Sequence, residues 1–120
     1  MTPPLHTVGH GTLAAEDLTR LITGAEIEAL VDVRSFPASR RHPQFRREAM
    51  QEWLPDAGVE YRWEPRLGGR RRPAPDSPHR ALRVAAFRGY ADHMETPEFG
   101  DALDMLLTEA TARPTVVMCA

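Results

Sequence analysis

The sequence predicts a three-layer α/β sandwich whose sheet is mostly parallel and has about four strands. Three observations predict it. Short β-prone runs alternate with amphipathic helical stretches along the chain. Two of the runs, Ala29-Leu30-Val31-Asp32-Val33 and Thr115-Val116-Val117-Met118-Cys119, lack polar alternation, as strands covered on both faces do. The first two runs are joined by a glycine turn and a helix, which is the form of a crossover between parallel strands.

Taken in order, Leu5-His6-Thr7-Val8 is short and β-prone, and Gly9-His10-Gly11-Thr12 breaks it. A helix over 14–23 follows, with Leu18, Leu21 and Ile22 on one face, and Gly24 stops it. The second strand covers 27–34 and is halted by Pro37. Pro43 suits the first turn of a second helix, which carries Phe45, Met50, Trp53 and Leu54 and ends at Ala57-Gly58. Residues 59–63 alternate as a strand near a sheet edge does. Residues 65–79, rich in Pro, Gly and Arg, are long for a connection in a compact domain, which marks a functional or a mobile loop. A third helix is expected over 81–94, with Phe87, Tyr90 and Met94 on one face. Thr96-Pro97-Glu98 supplies a cap, a first-turn proline and a first-turn acid for a fourth. Its stripe is Phe99, Leu103, Leu106, Leu107 and Ala110, and Pro114 separates it from the last strand.

At 120 residues the chain fits one domain over 1–120, large enough to bury a core without a disulfide. The sequence stops just past an apolar strand that needs cover on each face. A truncated C-terminus, or completion by self-association with another chain, is therefore expected. Cys119 is the single cysteine, which fits a cytoplasmic setting. The first six residues show no signal-peptide pattern, and no run approaches the roughly 20 apolar residues of a membrane helix. Five histidines and one cysteine show no usual metal-ligand spacing, so neither metal nor cofactor is expected. The net charge of -2 argues against indiscriminate polyanion binding. All 15 cationic residues are arginine, either from genome base composition or because arginine contacts phosphate and carboxylate bidentately.

Ligands of open α/β sheets bind outside the carboxyl ends of the strands, so residues following strands are the candidates. Gly9, His10, Gly11 and Thr12 lie between a strand and a helix, where backbone N–H groups and the helix dipole favour an anion. Thr12 either caps the helix or donates to a phosphate. The spacing is not that of a P-loop, and a plain tight turn is the competing reading. Asp32 and Arg34 stand two apart on a strand and share a face. Asp32 is a structural acceptor, an orienter of arginine or a base. Arg40 and Arg41, followed by Arg46 and Arg47, form one basic cluster, and Arg70-Arg71-Arg72 behind Gly68-Gly69 form another. They either converge on one phosphate-bearing ligand or are solvated surface. Tyr61 and Trp63 either stack a base or belong to the core. Arg88 and Asp92 stand four apart on a helix, as a surface ion pair does, and Gly89 between them suits close approach of a backbone or ligand. Cys119 is either a small buried hydrophobe or, in a positive neighbourhood, a reactive thiol.

The blocks Thr7-Val8-Gly9-His10, Leu30-Val31-Asp32-Val33-Arg34-Ser35-Phe36-Pro37, Ser39-Arg40-Arg41, Pro43-Gln44-Phe45, Leu67-Gly68-Gly69, Phe87-Arg88-Gly89-Tyr90-Ala91-Asp92 and Met118-Cys119-Ala120 span nearly the whole chain. Together they resemble the bacterial and archaeal family known as domain of unknown function 488. That resemblance implies an α/β sandwich and brings no reaction with it. It also implies a segment beyond the Met-Cys-Ala strand that holds a Cys-His-Arg motif, and a serine where Gly11 stands here. Asp32-Val33-Arg34 and Val116-Val117-Met118-Cys119 are similar to pieces of rhodanese-like domains, where the cysteine opens an anion-cradling loop. Three functions are therefore expected to compete. The first is an enzyme acting on a phosphate-bearing substrate, a nucleotide or nucleic acid, with His10 or Asp32 transferring protons and Arg34, Arg40, Arg41, Arg70 and Arg88 binding. The second is a non-catalytic anion or nucleic-acid module, and the third a rhodanese-like enzyme with Cys119 as nucleophile. No membrane partner is expected.

Overall fold

The computed structural model describes residues 5–35, 37, 41–69, 75–79, 81 and 84–119, with 86 and 87 described by backbone alone. Among these, β1 (Leu5–Gly9), β2 (Ala29–Asp32), β3 (Glu60–Trp63) and β4 (Thr115–Cys119) form one sheet in the order β1-β4-β2-β3. Every pairing is parallel. Four helices accompany them: α1 (Ala15–Gly24), α2 (Arg47–Asp56), α3 (Ala85–Met94) and α4 (Pro97–Ala112). The α/β sandwich expected from the sequence is the fold observed. β2 and β4, the runs without polar alternation, are its two interior strands, and β3 is at an edge.

The sheet alternates its side chains between two cores. Leu30, Val116 and Met118 face Leu18 and Ile22 of α1 and Met50 and Leu54 of α2, with Phe45 and Val59 beside them. Val31 and Val117 face Ala102 and Leu106 of α4. The chain moves from β1 to β2 to β3 with α1 and α2 on one face. It then returns to place β4 between β1 and β2, with α4 on the other. Right-handed crossovers require this change of face when the direction of travel reverses. Because all strands run one way, their carboxyl ends share one edge: Gly9 is level with Cys119, and Asp32 with Met118 and Trp63.

Helix boundaries and faces depart from expectation in places. Pro43 opens a separate 3-10 turn, Pro43–Phe45, and α2 begins only at Arg47. The break falls at Arg46, whose backbone is extended (ψ 148°). α3 starts at Ala85 rather than at 81. Leu21, Leu103 and Leu107 are exposed, contrary to the predicted stripes. The buried rows are Leu18 and Ile22 on α1 and Ala102, Leu106 and Ala110 on α4. Each exposed leucine is one residue out of its row, about 100° around the helix. Met94 is also exposed, since α3 ends there before the chain turns into α4. Thr96 caps α4 as expected, its hydroxyl accepting from the Phe99 N–H at 3.3 Å. No helix among the described residues is long and apolar enough to cross a membrane.

Two glycines give opposite expectations. A Cβ on Gly68 would stand 2.5 Å from the Val33 carbonyl oxygen and 2.6 Å from Ser35 Oγ. Gly100, inside α4, would place its Cβ with nothing within 4 Å. Urea unfolding should show Gly68→Ala destabilised by about 1–3 kcal/mol and Gly100→Ala stabilised by about 0.5–1 kcal/mol.

Candidate active site

Asp32, the last residue of β2, is fully buried. Its carboxylate is met by four donors. The Arg34 backbone N–H and Nε reach Oδ1 at 3.1 and 2.8 Å. Arg34 Nη2 and the Tyr61 hydroxyl reach Oδ2 at 2.7 and 2.6 Å. Burial, and then this bond to Asp32, push the Tyr61 hydroxyl well above the ordinary tyrosine range. Arg34 is itself nearly buried, and its Nη2 also donates to the Phe45 carbonyl at 2.6 Å. Its Nη1 meets no acceptor among the described residues. Trp63 Nε1 donates to the Arg34 carbonyl at 2.7 Å, and the Arg47 guanidinium lies 4.6 Å above the Trp63 ring.

His10 follows β1, and its N–H extends the ladder by donating to the Cys119 carbonyl at 3.2 Å. Gly11 (φ +51°) then turns the chain, and the Leu13 N–H returns to the His10 carbonyl. His10 is 6% exposed, and its ring stacks on Phe45 at 4.6 Å. Its Nδ1 lies 3.0 Å from the Gly11 carbonyl, which can only accept, so Nδ1 carries the proton. Nε2 is left as a lone-pair acceptor with no partner among the described residues. Burial lowers the pKa of His10 below its ordinary 6.5; the bond to Gly11 offsets part of this, and Arg34 and His42 lower it further. At neutral pH the ring is uncharged and suited to accept a proton.

The structure thus brings Gly9, His10, Asp32, Arg34 and Cys119 to one edge of the sheet. Cys119 is exposed there, its Sγ 3.7 Å from the Val8 carbonyl. Gly11 and Thr12 are exposed in the turn beside it, but Thr12 caps nothing. α1 begins at Ala15, too far along the chain, with Ala14 in the cap position and no side-chain cap. Arg41 and Arg46 are exposed on the segment leading to α2. Arg40 and Arg70 lie outside the described residues. Gly68 packs on Val33 and Ser35, and a Cβ on Gly69 would come within 3.0 Å of the Tyr90 ring, so close approach explains both glycines. Arg88 stands on α3, where its neighbour Tyr90 donates to the Leu67 carbonyl. Tyr61 and Trp63 use their polar atoms on Asp32 and Arg34. His42 and Gln44, absent from the sequence-derived set, also belong to this edge. His42 lies 6.4 Å from both the His10 and the Phe45 ring, and Gln44 Nε2 donates to the Leu13 carbonyl at 3.2 Å.

The opposite face binds other arginines into a structural chain. Glu64 accepts from Arg66 (2.7 Å) and Arg62 (2.9 Å), Arg62 reaches Glu109 (3.2 Å), and Arg113 joins Glu109 and Glu60 (2.9 Å each). The Arg66 hydrogen bonds hold the Glu64 carboxyl below its usual range. Burial acts to raise Glu109, but the bonds from Arg113 and Arg62 outweigh it.

A protein-family model, Domain of unknown function DUF488, matches residues 14–120, and the chain belongs to that family. No curated protein and no solved structure matches it.

Removing one member of a buried, hydrogen-bonded pair strands the other. Arg34→Ala should lose about 3–5 kcal/mol of unfolding free energy in chemical denaturation. The His10 shift gives a pH signature of definite sign. Below 6.5 and down to the lowered folded value, the unfolded chain binds more protons than the folded one. The stability of the wild type relative to His10→Phe should therefore be full above pH 6.5 and fall as the pH drops beneath it. Parallel curves across that range would show that His10 does not titrate as described.

Proposed function

We propose that this protein is an enzyme acting on a phosphate-bearing substrate, a nucleotide or nucleic acid, at the carboxyl edge of its sheet. The observation that carries the reading is His10: buried, neutral, fixed as the Nδ1–H tautomer, with no partner for Nε2 among the described residues and the Arg34 charge near enough to lower its pKa further. That is the state a general base needs at neutral pH. Arg41 and Arg46, on the segment entering α2, add positive charge where that helix begins, which favours an anionic substrate. Arg34 contributes through Nη1 alone, since Asp32 and Phe45 occupy its other described donors. Asp32 is the anchor of that arginine rather than the base. The reading invokes no metal or cofactor and suits the cytoplasm, where nucleotides are plentiful.

A second reading is favoured by one specific observation. Cys119 ends an interior strand, is exposed, and accepts the His10 N–H through its carbonyl. In that case the thiol is the nucleophile.

Calorimetry with a nucleoside monophosphate and turnover assays over nucleotides and model phosphomonoesters separate these readings. The double variant Arg41→Ala/Arg46→Ala should weaken binding about tenfold, a loss of about 1.4 kcal/mol, with a shallower salt dependence. His10→Asn should keep binding while turnover falls ~100-fold or more. Binding without turnover in the wild type would make the protein a binding module. Turnover abolished by Cys119→Ser but untouched by His10→Asn would transfer the chemistry to the thiol.

A further inference from the structure

We infer that His42 is the second proton-transfer group of this site, the acid that works opposite His10; this rests on the phosphate-substrate reading above. The geometry is a triangle of rings. His10 stacks on Phe45 at 4.6 Å with an interplanar angle of 24°, and His42 stands 6.4 Å from each. Hydrogen bonds of about 2.8 Å extended from two imidazoles at that separation reach the same bound group.

The placement of His42 is built through independent connections. Its carbonyl accepts the Phe45 N–H at 2.9 Å, and the Phe45 carbonyl accepts from Arg34 Nη2 at 2.6 Å. The turn that follows it is clamped to the turn that follows His10, because Gln44 Nε2 donates to the Leu13 carbonyl. Trp53 Nε1 then ties the Gln44 carbonyl to α2 at 2.9 Å. The two histidines come from loops 32 positions apart in the chain, yet the Gln44–Leu13 bond ties the two loops together.

The two rings differ in burial. His10 is buried among Phe45, Arg34, Asp32 and the β4 terminus, surroundings that on balance disfavour charge on it. His42 is only half-buried, next to exposed Arg41, and within reach of the solvent protons an acid must recover between turnovers. For hydrolysis of a phosphomonoester the balance is as follows. Water attacks phosphorus, and its proton passes to His10 Nε2 as the new O–P bond forms. The ester P–O bond breaks, and a proton from His42 goes to the departing alcohol oxygen. Alcohol and phosphate leave, His10 returns its proton to solvent, and His42 takes one up.

Two measurements on the full chain test this. In long-range proton–nitrogen NMR, inorganic phosphate should shift the ring nitrogens of both His10 and His42 and leave His6 and His93 in place. Shifts at His10 without His42 would overturn the acid assignment and leave the phosphate reading standing. No shift at either would overturn both. In kinetics, His42→Asn should slow hydrolysis of an alkyl phosphate at least tenfold more than that of p-nitrophenyl phosphate, whose leaving group needs no acid. Equal slowing of the two would remove His42 from the acid role. Hydrolysis of neither by the wild type would remove the reading on which that role depends.

Discussion

Everything at the carboxyl edge depends on one buried ion pair, Asp32 with Arg34. Two charges taken from water cost several kcal/mol, and attraction alone rarely recovers that. Here the cost is offset by directional bonds: Asp32 has four donors, and Arg34 reaches both carboxylate oxygens and the Phe45 carbonyl. Those bonds join β2 to β3 through Tyr61 and to the 3-10 turn through Phe45. An apolar pair of equal volume would fill the same space without setting those distances. The pair therefore contributes position more than stability, and it positions the ring on which His10 lies.

Charged residues are arranged differently in two parts of the molecule. Arg62, Arg66 and Arg113 sit opposite glutamates along β3 and α4. Arg41 and Arg46 are exposed near the start of α2, on the side where the imidazoles gather. A net charge near zero thus conceals both the ion-pair chain along β3 and α4 and the exposed arginines near the start of α2. Total charge is a poor guide to what such a molecule attracts, because the field at a cleft is set by the charges nearest to it.

The fold was legible because its strongest signals are local. Unbroken apolar runs marked β2 and β4 as interior strands, and Thr96-Pro97-Glu98 marked the start of α4. Helix faces were less legible: Leu103 and Leu107 sit one position beside a row of Ala102, Leu106 and Ala110, and only packing against Val31 and Val117 decides which row is buried. The site was legible in part. That Asp32 and Arg34 share a face follows from strand geometry. That the pair is an anchor depends on the Phe45 carbonyl and the Tyr61 hydroxyl, 11 and 29 positions away in sequence. Gly68 and Gly69 are legible in the sequence as glycines, while the crowding against Ser35 and Tyr90 that a side chain there would meet is not. The role of His42 was not legible, since its partner His10 comes from a loop 32 positions away.

The glutamate–arginine chain along β3 has a consequence for how the molecule meets its neighbours. β3 lies at the rim of the sheet, where backbone groups face outward and an incoming strand could dock. Glu60, Arg62 and Glu64 alternate in sign along that rim and are already engaged with Arg66, Glu109 and Arg113. A strand from another molecule would have to dehydrate these groups and match their order of charge while finding its own register. Few sequences do both. Charged side chains along an edge strand are among the devices that discourage pairing of strand on strand, and here the same charges also tie β3 to α4.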